Sequence, residues 1–464
     1  MIGSVRHVPE EVKRLIEEGG SLLVKGMAGS GKTAFTLSLL EEFSGGTPVY
    51  VSTRLSRNSF IKFFPWAERF LGEEGFVDAR APSIPPKGGR LPLKYASAPE
   101  FVEYVYFKLK DGADPRVAVL DSLDALKFAL NMPYDDIQLE KLMLEMGEAT
   151  GSSMVFVVEK NGETPLDYVV DGVVTLRWRL AGSFLLREIT IEKVRGEKIM
   201  FPARCFTLKD GNFRLIEPCR YELGDRVSPP PIKKAGRKLP TNIDELDEIL
   251  SGGLGRGEVT MLEVGIGVGT DYRWIVIPSV VNAVMQGCPS VFIPSAGFTR
   301  LDVESSFKPF FKDETVMQKY IHIVQFAGSE EEEGVHVLYG ENIIKDAGKV
   351  ISVASQALKE LSSRDVVIFV GADVLEHIYG CDEAIKMIRR IIESSRVNGY
   401  TLFLVVKRGQ TRGKALFHMA DTHLRLEEVN GVTTLQGVNP PTRVYALTVD
   451  ETEGYFKTKL IPIE

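Results

Sequence analysis

The fold of this chain is decided by one short stretch, Gly26-Met27-Ala28-Gly29-Ser30-Gly31-Lys32-Thr33. It fits the pattern Gly-x-x-x-x-Gly-Lys-Ser/Thr at every fixed position. The apolar segment 21–25 precedes it and a helical pattern follows from Thr33, so the stretch falls between a strand and a helix. Glycines in such a turn let successive backbone N–H groups point inward, and a helix amino terminus adds partial positive charge. The sequence therefore predicts a loop that wraps a phosphate group.

Three side chains complete a predicted nucleotide and metal site. We expect Lys32 to reach the β- and γ-phosphates of a nucleotide and Thr33 to hold Mg²⁺ through its hydroxyl group. The second magnesium ligand should follow another buried strand, and Asp121 comes directly after the apolar run 117–120. No Asn/Thr-Lys-x-Asp element that reads guanine is evident, which favours ATP over GTP as the ligand.

Apolar runs of strand length alternate with helical patterns in both halves of the chain. These runs occupy 21–25, 48–52, 116–120 and 153–158 in the first half, and 258–264, 290–293, 365–370 and 401–406 in the second. Strands that alternate with helices indicate right-handed βαβ units and a parallel sheet that is covered on both faces. We therefore predict an α/β fold with two tandem P-loop NTPase domains, each a mostly parallel sheet with helices on both faces.

Length and composition agree with two ordinary globular domains. The chain has 464 residues, a formal net charge of -7 and 44% hydrophobic residues, which excludes disorder and a surface that is basic as a whole. No apolar run approaches the ~20 residues that a membrane helix needs, so no membrane partner is expected. Four scattered cysteines without a Cys-x-x-Cys pair fit reduced thiols and a cytoplasmic location. The proline-rich and basic stretch 226–238 is predicted to link a domain at 1–225 to a domain at 239–464.

Several segments resemble the RecA superfamily and, within it, the KaiC-like ATPases. The segment 120–126 resembles the family's aspartate strand, 168–177 resembles its late β segment, and 191–196 resembles its Lys-x-Arg-Gly segment. In the second half, 239–254 is similar to the sequence that opens a domain of this family, and 420–426 repeats the late segment. The resemblance covers both halves and implies that the two domains are RecA-like.

A closer resemblance rests on the residues around the first strands. A short phosphate loop with little before it, Ser52-Thr53-Arg54 after the second strand, and Phe64-Pro65-Trp66 further on are similar to the archaeal gas-vesicle regulatory GvpD family. This resemblance implies a regulatory protein that binds ATP.

The KaiC-like resemblance also implies a ring- or filament-forming ATPase whose nucleotide lies at a subunit interface. In that family the lysine and arginine of the Lys-x-Arg-Gly segment reach the γ-phosphate of the neighbouring subunit. Carried over, these residues are Lys193 and Arg195, and the first domain would form a homo-oligomer. The alternative is a β-strand with two outward-facing basic residues on one face.

The first domain departs from the family where a general base is expected. KaiC-like ATPases carry an acidic pair after the second strand, whereas 52–56 contains no carboxylate and has Arg54. Arg54 stays protonated and cannot act as a base, although it could contact phosphate. Glu159, at the end of a later strand, is the candidate substitute; a sensor residue paired with Lys160 and a strand-end cap are the alternatives. Because a general base typically contributes about 10²–10⁴-fold, we expect slow hydrolysis.

The second domain has lost both charged residues of a nucleotide site. Counted from Gly265, Asp271 stands at the lysine position, where a carboxylate repels polyphosphate. The strand that matches the metal-binding strand has Gly371 where the aspartate falls, and Asp373 comes two residues later. The sequence therefore predicts a second domain that binds no nucleotide, a pseudo-ATPase.

Three functions remain open from the sequence alone. The first is an ATP-binding regulatory switch that hydrolyses slowly and changes the binding of a protein partner or its own assembly. The second is a competent ATPase or an autokinase of the KaiC type. The third is a DNA recombination or repair ATPase, which needs basic, glycine-containing loops that the sequence does not show, so nucleic acid is not the expected partner. The aromatic residues Phe60, Phe63, Phe64 and Trp66 fit core packing or a wall beside adenine better than a DNA-stacking platform.

Overall fold

The computed structural model describes residues 7–80, 98–110, 112–114, 116–130, 132–218, 221–234, 236–311, 313–326, 332–410 and 413–464. Within them the chain forms two compact units, which divide between Glu217 and Pro218. The last two residues, Ile463 and Glu464, group with the N-terminal unit.

The stretch 226–238, expected from its composition to be a linker, groups with the C-terminal unit. Val227 is buried in the apolar core of that unit, and its backbone N–H donates to the carbonyl oxygen of Pro309 over 3.1 Å. Ala235 in this stretch lies outside the described residues. Although proline and basic residues dominate its composition, the stretch is thus attached to the C-terminal unit through the packing of Val227.

A single sheet forms the centre of the N-terminal unit in the part of the chain that the structure describes. Its nine strands are β1 (Leu22–Lys25), β2 (Thr47–Ser52), β3 (Phe76–Asp78), β4 (Arg116–Asp121), β5 (Ser152–Val158), β6 (Gly172–Ala181), β7 (Phe184–Val194), β8 (Ala203–Thr207) and β9 (Arg214–Ile216). Six strands pair in parallel in the order β3-β2-β4-β5-β1-β6, and β7, β8 and β9 extend the sheet in antiparallel pairs. The predicted mostly parallel sheet is confirmed.

Helices cover both faces of this sheet. They are α1 (Glu10–Glu17), α2 (Lys32–Glu42), α3 (Arg57–Phe63), α4 (Ala98–Lys110), α5 (Leu123–Ala129) and α6 (Gln138–Thr150). Successive side chains of β1 enter two different apolar cores. Leu22 and Val24 belong to the core that contains α1 and α2, whereas Leu23 belongs to the core that contains α4 and α6. Because side chains of a strand alternate between its two faces, this division shows that both faces are covered.

The C-terminal unit repeats the arrangement. Its strands are β10 (Lys238–Leu239), β11 (Leu254–Gly255), β12 (Val259–Val264), β13 (Ser290–Ile293), β14 (Ile321–Phe326), β15 (Val335–Leu338), β16 (Val367–Gly371), β17 (Thr401–Lys407), β18 (Thr422–Val429), β19 (Val432–Asn439), β20 (Pro441–Asp450) and β21 (Lys457–Pro462). β10 and β11 pair with each other, and the other ten follow the order β15-β14-β13-β16-β17-β12-β18-β19-β20-β21. Without the edge strand β15, this order matches that of the N-terminal sheet strand for strand, as expected of a duplicated domain.

Helices again lie on both faces of the C-terminal sheet. They are α7 (Asp244–Ile249), α8 (Arg273–Met285), α9 (Arg300–Phe307), α10 (Glu314–Tyr320), α11 (Ile343–Glu360), α12 (Ala372–Tyr379), α13 (Cys381–Asn398) and α14 (Gly413–Phe417). Leu262 of β12 lies in the core that contains α8, and its neighbour Met261 lies in the core that contains α11 and α13. None of the helices in the described ranges combines the length and apolar character needed to cross a bilayer.

Candidate nucleotide-binding site

The stretch 26–33, here called the phosphate loop, joins β1 to α2. Gly31, directly before α2, has φ +100°, a conformation that residues with a side chain rarely adopt. A Cβ atom on Gly26 would lie 2.6 Å from the carbonyl oxygen of Leu176, so only glycine lets the loop pass this close to β6. The Oγ atom of Ser30 is buried and has no hydrogen-bond partner among the described residues. The loop is therefore a tight turn with a polar atom left for a further partner.

The Lys32 side chain folds over the phosphate loop. Its Nζ atom donates hydrogen bonds to the carbonyl oxygens of Gly26, over 2.7 Å, and Met27, over 2.9 Å. Burial lowers the pKa of Lys32, although the nearby carboxylates of Glu159 and Asp121 act in the opposite direction. The ammonium group of Lys32 is thus buried in the loop, where two carbonyl oxygens accept its hydrogen bonds but do not neutralise its charge.

Thr33 and Asp121 meet at the carboxyl end of the sheet. The Thr33 hydroxyl donates a hydrogen bond to Oδ2 of Asp121 over 2.7 Å, and the Tyr50 hydroxyl donates to the same oxygen. Burial, together with the charge of Asp121, raises the pKa of Tyr50 well above its usual value. A hydroxyl and a carboxylate are the hard oxygen ligands that Mg²⁺ prefers, so Thr33 and Asp121 fit the metal expected from the sequence.

Tyr50 belongs to the site but was missed by sequence reasoning. It lies within β2, and that strand pairs with β4, whose last residue is Asp121. The available signal was a hydroxyl group in an otherwise apolar and buried strand segment. That signal is weak, because buried tyrosines commonly find a hydrogen-bond partner wherever they pack.

Arg54 and Glu159, both singled out from the sequence, form an ion pair. The Nη2 atom of Arg54 lies 2.8 Å from Oε2 of Glu159, and the other carboxylate oxygen of Glu159 lies 4.0 Å from Nζ of Lys32. The hydrogen bond that Arg54 donates to Glu159 is the largest of the effects that raise the pKa of Arg54. Glu159 therefore faces two positive charges at the edge of the phosphate loop.

The backbone of Glu159 is held by α5. Its N–H group donates to Oδ2 of Asp124, in the first turn of α5, over 2.6 Å. Lys160, which the sequence offered as a partner of Glu159, instead has its Nζ atom 3.3 Å from the centroid of the Tyr134 ring. Asp124 thus links the end of β5 to the helix that follows Asp121.

Lys193 and Arg195 lie at the opposite edge of the sheet. Val194, which lies between them, pairs with Gly172, and Gly172 pairs with Leu22, the first residue of β1. The phosphate loop follows the other end of β1. Lys193 donates to the carbonyl oxygens of Asp167 and Val170, over 3.1 and 2.6 Å. Arg195 lies 2.6 Å from Oδ1 of Asp171 and is 65% exposed in its side chain. The structure therefore does not bring these two residues to the phosphate loop of the same chain.

A cavity of about 580 Å³ lies beside the phosphate loop and is large enough for a nucleotide. One wall is polar and contains Lys32, Thr33, Arg54, Asp121 and Glu159. Another part of the lining, the aromatic wall, contains Phe60, Phe63 and Phe64. Trp66 does not line the cavity; it is buried, with its ring centroid 5.8 Å from that of Phe70.

One further residue that contacts the phosphate loop was not predicted. Arg187 of β7 donates from Nη1 to the carbonyl oxygen of Gly29 over 3.0 Å, although the two residues are 158 positions apart. The only signal in the sequence was an arginine–glutamate pair, Arg187-Glu188, between apolar residues of a strand. A basic residue in such a place is usually exposed.

The corresponding loop of the C-terminal unit is filled by protein side chains. Asp271, at the lysine position, accepts a hydrogen bond from the Thr433 hydroxyl over 2.9 Å. The next residue, Tyr272, is buried and its hydroxyl lies 2.7 Å from Oγ of Ser295. Its ring packs against Phe298, with centroids 5.8 Å apart. The cavity at this place has a volume of only about 20 Å³.

The charges at the edge of the C-terminal sheet neutralise each other. Lys407 is the last residue of β17, the strand that corresponds to β5 in the N-terminal sheet. Its Nζ atom lies 3.1 Å from Oδ2 of Asp373. That oxygen also accepts the backbone N–H of Ala296 over 3.0 Å. A Cβ atom on Gly371 would lie 2.5 Å from Cα of Ser295, so no aspartate fits at that position without movement of the backbone.

Comparison with known proteins agrees with this geometry. Residues 14–192 match the family described as GvpD gas vesicle protein, P-loop domain. The chain is 24% identical to protein GvpD2 of Halobacterium salinarum over 480 aligned positions, which cover 96% of this chain and 94% of the relative. It is 25% identical to protein GvpD1 of the same organism, over 70% of this chain and 63% of the relative. The N-terminal unit thus carries a P-loop domain of the GvpD family, and the chain is homologous to GvpD1 and GvpD2 over most of its length.

Proposed function

We propose that the N-terminal unit binds ATP with Mg²⁺ and works as a slow, regulatory ATPase. The backbone N–H groups of the phosphate loop and Lys32 bind the phosphates, and Thr33 and Asp121 hold the metal. When bound, Mg²⁺ neutralises charge on the phosphate oxygens. The polar wall of the cavity supports this assignment, since it combines the cations of Lys32 and Arg54 with the hydroxyl of Thr33 and the carboxylate of Asp121. The aromatic wall offers a surface on which an adenine ring can stack.

The observation that carries the regulatory proposal is the contact of Glu159 with both Arg54 and Lys32. These are the two cations that we assign to the terminal phosphate. Phosphate oxygens and the Glu159 carboxylate compete for the same positive charges, so binding of ATP releases Glu159. The backbone N–H of Glu159 donates to Asp124, so a movement of Glu159 on release changes the position of α5. A local exchange of charge partners is how nucleotide switches commonly bias a second conformation.

Slow hydrolysis follows from the same contact. A general base must contact the attacking water to accept its proton, and the Glu159 carboxylate is instead engaged by Arg54 over 2.8 Å. Arg54 occupies the sequence position at which related ATPases carry an acidic residue, and it cannot accept a proton. The nucleotide therefore stays bound long enough to act as a signal.

A competent ATPase, or an autokinase, is the second candidate. It is favoured by the distance of 4.0 Å between Glu159 and Lys32, which puts a carboxylate within reach of the phosphate loop. If ATP draws Arg54 to its phosphate, Glu159 becomes free to act as the base. Turnover well above ~1 s⁻¹, lost in the Lys32→Ala variant, would establish this candidate in place of the slow switch.

We propose that the C-terminal unit binds no nucleotide and serves as a scaffold. The buried Tyr272 ring, the acidic Asp271 and the Lys407–Asp373 pair support this view. We further propose that Lys193 and Arg195 act on the nucleotide of a neighbouring copy, so that ATP promotes assembly of the N-terminal unit. The name of the matching family suggests that the protein partner whose binding depends on ATP belongs to the gas vesicle system.

ATP binding by the full chain tests the proposal. Titration calorimetry with ATP and Mg²⁺ should give saturable binding, and the Lys32→Ala variant should lose it. The matched control is Lys141→Ala, which removes an exposed lysine from α6 and should bind as the unchanged chain does. Failure of the unchanged chain to bind ATP would refute the proposed function.

A further inference from the structure

The hairpin of β6 and β7 runs past the end of β1 and alongside the phosphate loop. The last residue of β1 pairs with Thr175, and β6 continues for six more residues. In this projecting part Arg187 pairs with Trp178 across the two strands. Arg187 is the residue through which the hairpin contacts the loop, because its Nη1 atom donates to the carbonyl oxygen of Gly29.

Arg187 differs from the other buried cations of the N-terminal unit. The basic side chains that are buried in its described part are Lys25, Lys32, Lys127, Arg187 and Arg204. Lys25 lies within 2.7 Å of two carboxylates, Lys127 lies 2.6 Å from Glu140, and Arg204 pairs with Glu11. Lys32 has Glu159 at 4.0 Å. For Arg187 no carboxylate partner occurs among the described residues.

Within the described part of the chain, the charge of Arg187 is therefore uncompensated. Its residue exposure is 9%, and its Nε atom has no hydrogen-bond partner among the residues that the structure describes. Burial lowers the pKa of Arg187, and no carboxylate of a described residue offsets this effect. Buried charges in proteins are normally paired, since an unpaired one costs several kcal/mol. The pairing that the described residues do not provide is expected from a ligand.

We infer that Arg187 is a positioning residue for polyphosphate, an inference that rests on the proposed function of the phosphate loop. Its guanidinium group fixes the Gly29 carbonyl, and this orients the adjoining backbone N–H groups of the loop. Its positive charge is balanced by the phosphates that the loop encloses. Arg187 does not line the cavity, so it acts through Gly29 and through its charge, not by direct contact with the nucleotide.

The test compares three variants of the full chain in binding to ATP, to inorganic tripolyphosphate and to adenosine. Arg187→Met removes the charge at similar length, Arg187→Lys keeps the charge, and Arg179→Met removes an exposed arginine from the same hairpin as a matched control. We expect Arg187→Met to bind ATP and tripolyphosphate at least about tenfold more weakly. The reason is that the loss of a hydrogen bond from a charged group typically lowers the affinity by about this factor. Adenosine binding should not change, Arg187→Lys should recover part of the loss, and Arg179→Met should bind normally.

A purely structural role predicts a different result. Removal of an uncompensated buried charge should leave the unfolding temperature of the ligand-free chain unchanged or raise it, whereas loss of a structural contact should lower it. Unchanged polyphosphate binding by Arg187→Met, or equal losses for adenosine and ATP with a lower unfolding temperature, would overturn the inference. If the unchanged chain binds tripolyphosphate in an Arg187-dependent manner but not ATP, the inference stands and the proposed function fails. If it binds neither, both fail.

Discussion

Glu159 and Arg54 are joined by an ion pair of 2.8 Å at the carboxyl edge of the N-terminal sheet, after β5 and β2 respectively. The KaiC-like ATPases that the sequence resembles have an acidic residue at the position of Arg54, whereas the carboxylate here follows another strand. The same pair can act as a catalytic element or as an anionic competitor for the nucleotide, and the two roles make opposite predictions.

Glu159→Gln removes the competing charge and keeps the size of the side chain. We expect ATP to bind about two- to fivefold more tightly, because a partly exposed ion pair is worth up to ~1 kcal/mol. Calorimetric titration measures the affinity, with Glu163→Gln, an exposed neighbour, as the control. Weaker binding would contradict the competition, and a fall in turnover of about 10²-fold or more would identify Glu159 as the base.

Asp121→Asn removes the carboxylate that meets Thr33. A neutral amide is a poorer ligand for Mg²⁺, so we expect the affinity for ATP to become nearly independent of magnesium. Titrations with magnesium and with a chelator measure the difference, and Asp225→Asn, which changes an exposed aspartate, serves as the control. An Asp121→Asn variant whose ATP affinity still rises with magnesium would exclude Asp121 as a ligand.

The buried pair of Lys127 and Glu140, with Nζ and Oε1 2.6 Å apart, gives a prediction about stability. Lys127→Met leaves a buried carboxylate without its cation, so we expect a loss of about 3–5 kcal/mol in the free energy of unfolding. The double variant Lys127→Met/Glu140→Leu should recover most of that loss, because an apolar pair tolerates burial. Urea denaturation measures both. Losses that simply add would show that the two charges do not interact.

The stability of the C-terminal unit should depend on acid through Glu263. Burial alone would raise the pKa of Glu263, but hydrogen bonds from His423 and Arg425 outweigh it and lower the pKa to about 2. Since the folded pKa lies below the unfolded value of 4.5, the stabilisation is complete above about pH 4.5 and is lost as the pH falls towards 2. Denaturation at several pH values measures this slope. Glu263→Gln should flatten it, and an unchanged slope would argue against the assignment.

Action in trans by Arg195 predicts complementation between chains. A Lys32→Ala chain should not bind ATP, and an Arg195→Ala chain should bind ATP but turn it over more slowly. If Arg195 reaches the nucleotide of a neighbour, a mixture of the two should recover part of the turnover, because the first chain supplies the arginine and the second supplies the site. Arg177→Ala, in an exposed part of β6, is the control. A mixture no more active than its parts, or a chain that stays monomeric with ATP and Mg²⁺, would count against this role.

The sequence predicted those parts of the fold that local patterns determine. The strands β2, β4, β5 and β17 were located to within one or two residues, because apolar runs bounded by polar residues mark strands that are buried on both faces. The antiparallel strands β8 and β9 were not located, since one side of such a strand can face water and its pattern is weaker. Val227 could not be recognised as core within a proline-rich stretch, because its burial depends on contacts formed elsewhere in the chain.

The candidate site divides in the same way. The phosphate loop and Asp121 were identified because each lies at a fixed spacing from a strand or a helix. The contacts of Glu159 with Arg54 and of Arg187 with Gly29 join distant segments, so no spacing in the sequence encodes them. From the sequence alone, Glu159 is only a charged residue after a strand and Arg187 is only a charged residue within one. Their partners follow from the order of strands in the sheet.

The Tyr272 ring has a consequence for how this chain can change over evolution. A lysine at position 271 would not by itself recreate the phosphate-loop pattern, because Thr270 and Tyr272 stand where that pattern has glycine and serine or threonine. The Tyr272 ring is also buried and packs against Phe298. Several replacements would have to occur together before any of them brought a benefit, and the first ones would open a hole in a packed interior. A nucleotide pocket in the C-terminal unit is therefore out of reach of any single substitution.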